Sequence, residues 1–275
     1  MHIGKTNTLT IARETSVGLF LTDGITDILL PQKYMPKIYE IGEELEVFVY
    51  LDHEERLVAT TLRPFVQVNE FAHLKVNYMN SFGAFLDWGL EKDLFVPFRE
   101  QAQRMETGKR YLVYVFLDAQ TNRLVASSRI HRFIQNENVN LEVGQEVQVM
   151  ITHFSDAGVN VIIENKYSGL VFQNQVFDET LKFGKIYTAY VKQVRPDGKV
   201  DLSFQKQGLE QIDVAVQKIL TELNANRGFL GLHDNSHPED IKTALKMSKK
   251  TFKKAVGQLY KDRRIEIREN GIYLK

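Results

Sequence analysis

Six glycines fall into two interleaved series, and their spacing constrains the fold more than any other feature of the chain. Gly18, Gly83 and Gly158 are followed, after 24, 25 and 26 residues, by Gly42, Gly108 and Gly184. Self-similarity on this scale identifies an array of like modules. Each glycine of the second series opens a β-branched and aromatic run: Gly42 leads into Leu45 to Val49, Gly108 into Tyr111 to Val115, and Gly184 into Ile186 to Val191. Such runs are strands by propensity and alternation. After 15 or 16 residues a further strand follows, at Leu57 to Thr61, Leu124 to Ser128 and Val200 to Phe204. The polar stretches between read as turns, most clearly Arg195-Pro196-Asp197-Gly198.

Upstream of each second glycine lie a leading strand (Leu9 to Ala12, Phe71 to Tyr78, Val147 to Phe154) and a strand after the first glycine (Leu19 to Leu21, Ala84 to Leu86, Val159 to Val161). A third strand follows at Asp27 to Pro31, Asp93 to Pro97 and Gly169 to Phe172. Each unit of about 65 to 70 residues thus holds five short strands, expected to be antiparallel, and a small closed barrel removes their exposed edges. The units are residues 1–64, 65–137 and 138–208, with short linkers around Arg63 to Asn69, Phe133 to Leu141 and Gln205 to Leu209.

Residues 209–275 follow a different period. Ile212, Val216, Ile219, Leu220 and Leu223 form one helical face. Ser236-His237-Pro238-Glu239 reads as a capping box opening a second helix with Ile241, Ala244 and Leu245, and Phe252, Ala255, Val256 and Leu259 stripe a third. Asn270-Gly271 between two apolar runs predicts a terminal hairpin. Helix-turn-helix plus hairpin is a winged helix. The fold class is therefore mostly β with a C-terminal α+β module: three tandem five-stranded OB-fold barrels and a winged helix.

The whole chain is neutral, with 35 basic and 35 acidic side chains, so any polyanion binding rests on local patches. Residues 246–264 form one such patch: Lys246, Lys249, Lys250, Lys253, Lys254, Lys261, Arg263 and Arg264 oppose the single acid Asp262. This is the footprint of a phosphate-binding surface. By unit, the net charge is −4, +1, −1 and +4 in chain order, making the first barrel the poorest polyanion binder.

The middle unit, with Phe82-Gly83-Ala84-Phe85-Leu86, Leu94 to Val96, Gly108 to Val115 and Leu124 to Arg129, resembles the S1 domain, an OB-fold RNA-binding module. The third unit carries the end of the same pattern, and the first is a weaker copy. Three such units before a winged helix resemble the CvfB family, the conserved virulence factor B proteins, over essentially the full chain. The resemblance implies RNA binding and regulation of gene expression in a low-GC Gram-positive bacterium, with effects on virulence factors.

Single strands bind where rings stack on bases and cations follow the backbone. The S1 pattern assigns the stacking pair to Phe82 and Phe85, with Gly83 expected to bend the strand so that both rings share a face. It adds Asp118 and Arg129, and Lys75 and Arg123 sit on the same strand ends. Phe20 in the first unit and Tyr190, Lys192 and Arg195 in the third complete the candidates, with Lys246, Lys249, Lys250, Lys253, Lys254, Arg263 and Arg264 of the tail. The places equivalent to Phe82 and Phe85 hold Val17 and Phe20 in the first unit and Ala157 and Asn160 in the third. The histidine common on the third strand of S1 domains is absent, with Val96 aligned there in the middle unit and Phe172 in the third. The expectation is that the second and third barrels and the winged helix share one single-stranded RNA, while the first barrel is structural or contacts protein.

Enzymatic chemistry finds little support. Without cysteine there are no disulfides, thiol nucleophiles, iron–sulfur clusters or cysteine-bound zinc. The seven histidines are scattered, and only His233 and His237 have ligand-like spacing, in a loop and cap where no metal site is expected. No phosphate-cradling or dinucleotide motif occurs, so neither cofactor nor metal is expected. Glu43, Glu44, Glu46, Glu54 and Glu55 read as solvated strand and turn residues. The start of the chain lacks a signal-type apolar core, and no apolar run is long enough to cross a bilayer, so the reading is a cytoplasmic protein without membrane contact. Two rival partners remain: duplex DNA entered by the winged helix, and a ribosome or RNA polymerase contacted by the barrels as an adaptor.

Overall fold

A computed structural model describes residues 1–176, 180–206 and 209–275. The linker expected at Gln205 to Leu209 includes Gln207 and Gly208, which lie outside the described residues. The chain divides into two compact units, Met1–Phe133 and Ile134–Lys275.

The first unit contains two closed barrels. One is built from β1 (Thr6–Thr15), β2 (Gly18–Thr22), β3 (Asp27–Pro31), β4 (Glu44–Leu51) and β5 (Leu57–Thr60), and the other from β6 (Phe71–Met79), β7 (Gly83–Asp87), β8 (Leu94–Pro97), β9 (Arg110–Leu117) and β10 (Leu124–Ser127). Four of the five seams in the first barrel are antiparallel, but β3 and β5 close it in parallel, Leu29 against Val58. β8 and β10 do the same, Phe95 against Val125. This corrects the all-antiparallel expectation. The long connection between the third and fourth strands carries the chain across the barrel end, so the third and fifth strands meet running the same way.

The two glycine series serve different physical needs. A Cβ at Gly18 or Gly83 would lie 2.1 Å from the Leu30 carbonyl oxygen or 2.2 Å from that of Val96. Only a residue without a side chain permits that approach of β2 to β3 and of β7 to β8. Gly83 therefore serves close backbone contact rather than the bend expected of it. Gly42 and Gly108 have open space around them and positive φ, 93° and 83°, at the turns that start β4 and β9.

The two barrels of this unit share apolar packing. Phe48, Tyr50 and Val58 of the first join Trp88, Leu90, Leu94 and Val96 of the second in one buried cluster, and the Phe48 and Trp88 rings meet edge to face at 5.6 Å. The linker is pinned, its Phe65 and Val68 amides donating to the Trp88 and Gly4 carbonyls.

The second unit contains a barrel of β11 (Glu146–Ser155), β12 (Gly158–Ile163), β13 (Tyr167–Phe172), β14 (Ile186–Val194) and β15 (Val200–Ser203), again with a parallel third–fifth pair. It also holds α1 (Leu209–Ala225), a short β16 (Phe229–Leu230), α2 (Pro238–Leu245), α3 (Lys249–Lys261) and the hairpin β17 (Ile265–Arg268) and β18 (Gly271–Leu274). β16, too short to show a period in the sequence, pairs with β18 and makes the wing a three-stranded sheet. The helix stripes pack as expected around the fully buried Phe252, except that Ala244 faces solvent. The N-cap of α2 is His237, whose Nδ1 accepts from the Glu239 amide. Ser236, expected to cap, instead accepts from the His233 amide and closes the preceding loop. α3 is capped by Ser248, whose hydroxyl accepts from the Thr251 amide.

Candidate nucleic-acid interface

On the second barrel an aromatic ladder crosses three strands. The pairing of β6 with β7 slips by one residue between Val76 and Tyr78, placing Tyr78 opposite Phe85, and Phe85 in turn opposes Phe95 on β8. Tyr78 stacks on Phe85 at 4.5 Å with rings 7° apart, and Phe95 tilts against Phe85 at 5.0 Å. Phe82, at the turn before β7, is 71% exposed, far beyond what packing would leave to a core ring. These four rings line a groove of about 740 Å³.

The groove is completed by the first barrel. Tyr50, Leu51, His53 and Glu55 form part of its wall, with Trp88, Lys92, Asp93, Phe98, Arg99 and Arg123 from the second barrel. Trp88 is buried, its indole N–H donating to the Lys92 carbonyl at 2.6 Å. The Lys92 ammonium donates to the Leu51 and Asp52 carbonyls at 3.1 and 2.6 Å, tying the barrels together, and burial pushes its pKa down. Arg123 pairs with Glu55, and Arg99 with Asp118 at 3.5 Å. Asp93 accepts from the Asn77 amide at 2.9 Å, and burial pushes its pKa up. The walls are aromatic, and charges of both signs sit among them.

The structure sorts the sequence candidates. Phe82, Phe85 and Arg123 line the groove. Lys75 is exposed on β6 opposite Asp87 and Arg110, outside the groove lining. Asp118 organises the β9–β10 turn by accepting from the Gln120 amide and holds Arg99, while the Arg129 guanidinium donates to the Arg99 carbonyl at 3.0 Å. Neither lines the groove, but both touch Arg99, which does. The alignment of Val96 with Phe172 is corrected by the strand register: Gly83 opposes Pro97 as Gly158 opposes Phe172, so Pro97 is the counterpart of Phe172 and Val96 is core. Sequence reasoning missed Tyr78, Phe95 and Arg99. Tyr78 reaches the ladder only because of the bulge, which leaves no mark in the residue pattern.

The same three places in the other barrels hold different chemistry. In the first barrel Arg13 opposes Phe20, which opposes Leu29. The Arg13 guanidinium sits 4.2 Å above the Phe20 ring and donates to Asp27. In the third barrel the places are His153, Asn160 and Leu170, with no ring in the Phe85 position. There Arg195 lies 5.5 Å over Phe172 and pairs with Asp201 at 2.9 Å, and Tyr190 and Lys192 are half-buried on β14.

In the winged helix, Lys246 ends α2 in the left-handed conformation, φ 47°. Lys249 donates to the Ser236 carbonyl at 2.9 Å, and Lys253 lies 3.8 Å from Asp234. Lys250, Lys254, Arg263 and Arg264 are exposed. On the wing Phe229 tilts against Tyr273 at 4.8 Å, with Arg268 over the Tyr273 ring at 4.4 Å. Among the described residues no group of three or more potential ligands could hold a metal ion, and no helix is long and apolar enough to cross a membrane.

Known proteins share these modules. The S1 domain family matches residues 3–62 and 70–129, and the CvfB-like winged helix domain family matches residues 217–274. The uncharacterized protein YitL of Bacillus subtilis is 30% identical over 284 residues, covering 98% of this chain and 93% of that protein. Conserved virulence factor B of Staphylococcus saprophyticus is 28% identical over 251 residues, covering 86% of this chain and 81% of that protein. Among solved structures, a multidomain protein with nucleic acid binding domains from Streptococcus pneumoniae aligns over 99% of this chain and 98% of its own, with 23% identity and a TM-score of 0.41. The first two barrels are thus S1 domains, and the C-terminal domain is a CvfB-like winged helix.

Proposed function

This chain belongs to the CvfB family, and we propose that it is a non-catalytic, cytoplasmic regulator of gene expression that binds single-stranded RNA. Virulence-factor expression is the process such a regulator would control in a pathogen. The modules that divide the work are residues 1–64, 65–137, 138–208 and 209–275. Bases stack on the second barrel, and α3 supplies phosphate contacts that add to avidity because they sit on the same chain.

The observation that carries this reading is the Tyr78–Phe85–Phe95 ladder with Phe82 exposed beside it. A stacking surface of four rings suits unpaired bases and offers nothing to a closed duplex. A second reading, a duplex-DNA regulator, is favoured by exposed Lys250 and Lys254 on the third helix of a winged helix, the element that enters a major groove.

The test is an equilibrium titration of end-labelled single-stranded RNA, single-stranded DNA and duplex DNA, followed by anisotropy across a salt series, for wild type, Tyr78→Ala and Phe82→Ala. RNA is expected to bind most tightly, and each substitution to weaken binding by about 1–3 kcal/mol with the salt slope unchanged. Preference for duplex DNA with both substitutions silent would transfer the function to the winged helix.

A further inference from the structure

The strand register makes Asp27 and Asp93 equivalent. Asp27 precedes Ile28, which opposes Leu21; Asp93 precedes Leu94, which opposes Leu86. By register this carboxylate lies diagonal to the central ring, on the same face and two residues from the one opposite it: Asp27 from Leu29 opposite Phe20, Asp93 from Phe95 opposite Phe85. In the first barrel the place is already filled by the chain itself, because Arg13 lays a planar guanidinium on Phe20 and donates its N–H to Asp27. That hydrogen bond holds the Asp27 carboxyl below the ordinary range.

The second barrel keeps the carboxylate and removes the arginine. Tyr78 stands where Arg13 would be. Asp93 receives only the neutral Asn77 amide and, among the described residues, makes no ion pair. It is close enough to Tyr78 for its charge to push the hydroxyl's pKa up, in addition to the larger effect of burial. The result is a partly buried acceptor at the edge of a stacking surface, in a groove offered to a polyanion. Such a group is unfavourable there unless the ligand brings a donor.

We propose that Asp93 makes this groove select bases bearing an exocyclic amino group, so that a base stacked beside Tyr78 donates to the carboxylate as Arg13 does to Asp27. Cytosine and uracil test this at position 4, their N3 atoms differing in the opposite sense, an acceptor in cytosine and an N–H donor in uracil. They share size and stacking, but cytosine presents an amino donor at the position where uracil presents a carbonyl oxygen, which the carboxylate repels. The inference rests on the groove being the RNA interface proposed above. Phosphate contacts such as those proposed for α3 cannot distinguish the two bases, and a change in the ratio on Asp93→Asn reads the groove apart from the other modules.

The experiment titrates the full chain with labelled oligocytidylate and oligouridylate of equal length at one salt and neutral pH, for wild type, Asp93→Asn and Tyr78→Ala. Wild type is expected to favour oligocytidylate by about fivefold or more, and Asp93→Asn to bring the ratio to about one or invert it, since an asparagine amide can donate to the uracil carbonyl. A wild-type ratio of one, or a ratio unmoved by Asp93→Asn, overturns the inference. If Tyr78→Ala weakens both oligonucleotides while the ratio stays at one, base selection fails and the RNA interface stands. If Tyr78→Ala changes neither, the reading of the groove fails first and the inference with it. Thermal unfolding of each variant separates impaired binding from impaired folding.

Discussion

Asp93 occupies its place at a cost to stability, and pH makes that cost measurable. Burial raises its pKa above the unfolded value, so the folded state holds its proton more tightly than the unfolded chain does. Its destabilising effect is complete at neutral pH and fades as pH falls through the raised pKa toward the ordinary aspartate range. Asp93→Asn is therefore expected to unfold at a higher temperature than wild type at pH 7 to 8, with the gap closing near pH 4. Calorimetry at the two pH values checks this, and a variant less stable at neutral pH contradicts it. At this scale the sequence was only half legible. Phe82 and Phe85 lie within the single short stretch Phe82-Gly83-Ala84-Phe85 and could be named from it. Tyr78 and Phe95 join them across hydrogen-bonded seams, and no local pattern reports which residue of a neighbouring strand will stand opposite.

Among the elements, strands were easier to place than their partners. The alternation around Gly42, Gly108 and Gly184 predicts β4, β9 and β14 because half-buried strands need that period. Parallel closure of the third and fifth strands escapes such a reading, since alternation looks the same in either direction. Helix α3 was legible in both respects: its apolar stripe is buried and its lysines project from the other faces. Lys250, Lys254 and Lys261 are the exposed members of that set for which no ion pair is found among the described residues, and Lys250 and Lys254 stand one turn apart in the first half of the helix. Replacing both by alanine should leave the melting temperature nearly unchanged, as alanine favours helix and the positions are solvated. RNA affinity should fall, and the salt slope of binding should flatten by roughly 0.7 for each phosphate that the helix no longer neutralises. An unchanged slope would remove α3 from the interface.

At the scale of the molecule, the first barrel reads as a separate module in sequence, yet its energetics are joined to the second. Its negative charge suggested a structural role, and that charge says nothing about packing. Phe48 and Tyr50 sit in the same buried cluster as Trp88, and Lys92 bonds to carbonyls across the junction. Phe48→Ala should cost about 3–5 kcal/mol. Hydrogen exchange should then accelerate in β6–β10 as well as in β1–β5, while residues 134–275 keep their protection. Acceleration confined to β1–β5 would show two barrels that merely touch. The same junction gives the chain an optical property. Trp88 is its single tryptophan, and it lies between the barrels at the wall of the groove. Its emission colour and yield should shift when a base enters the groove or when the barrels part, so the unlabelled protein can report both events in solution.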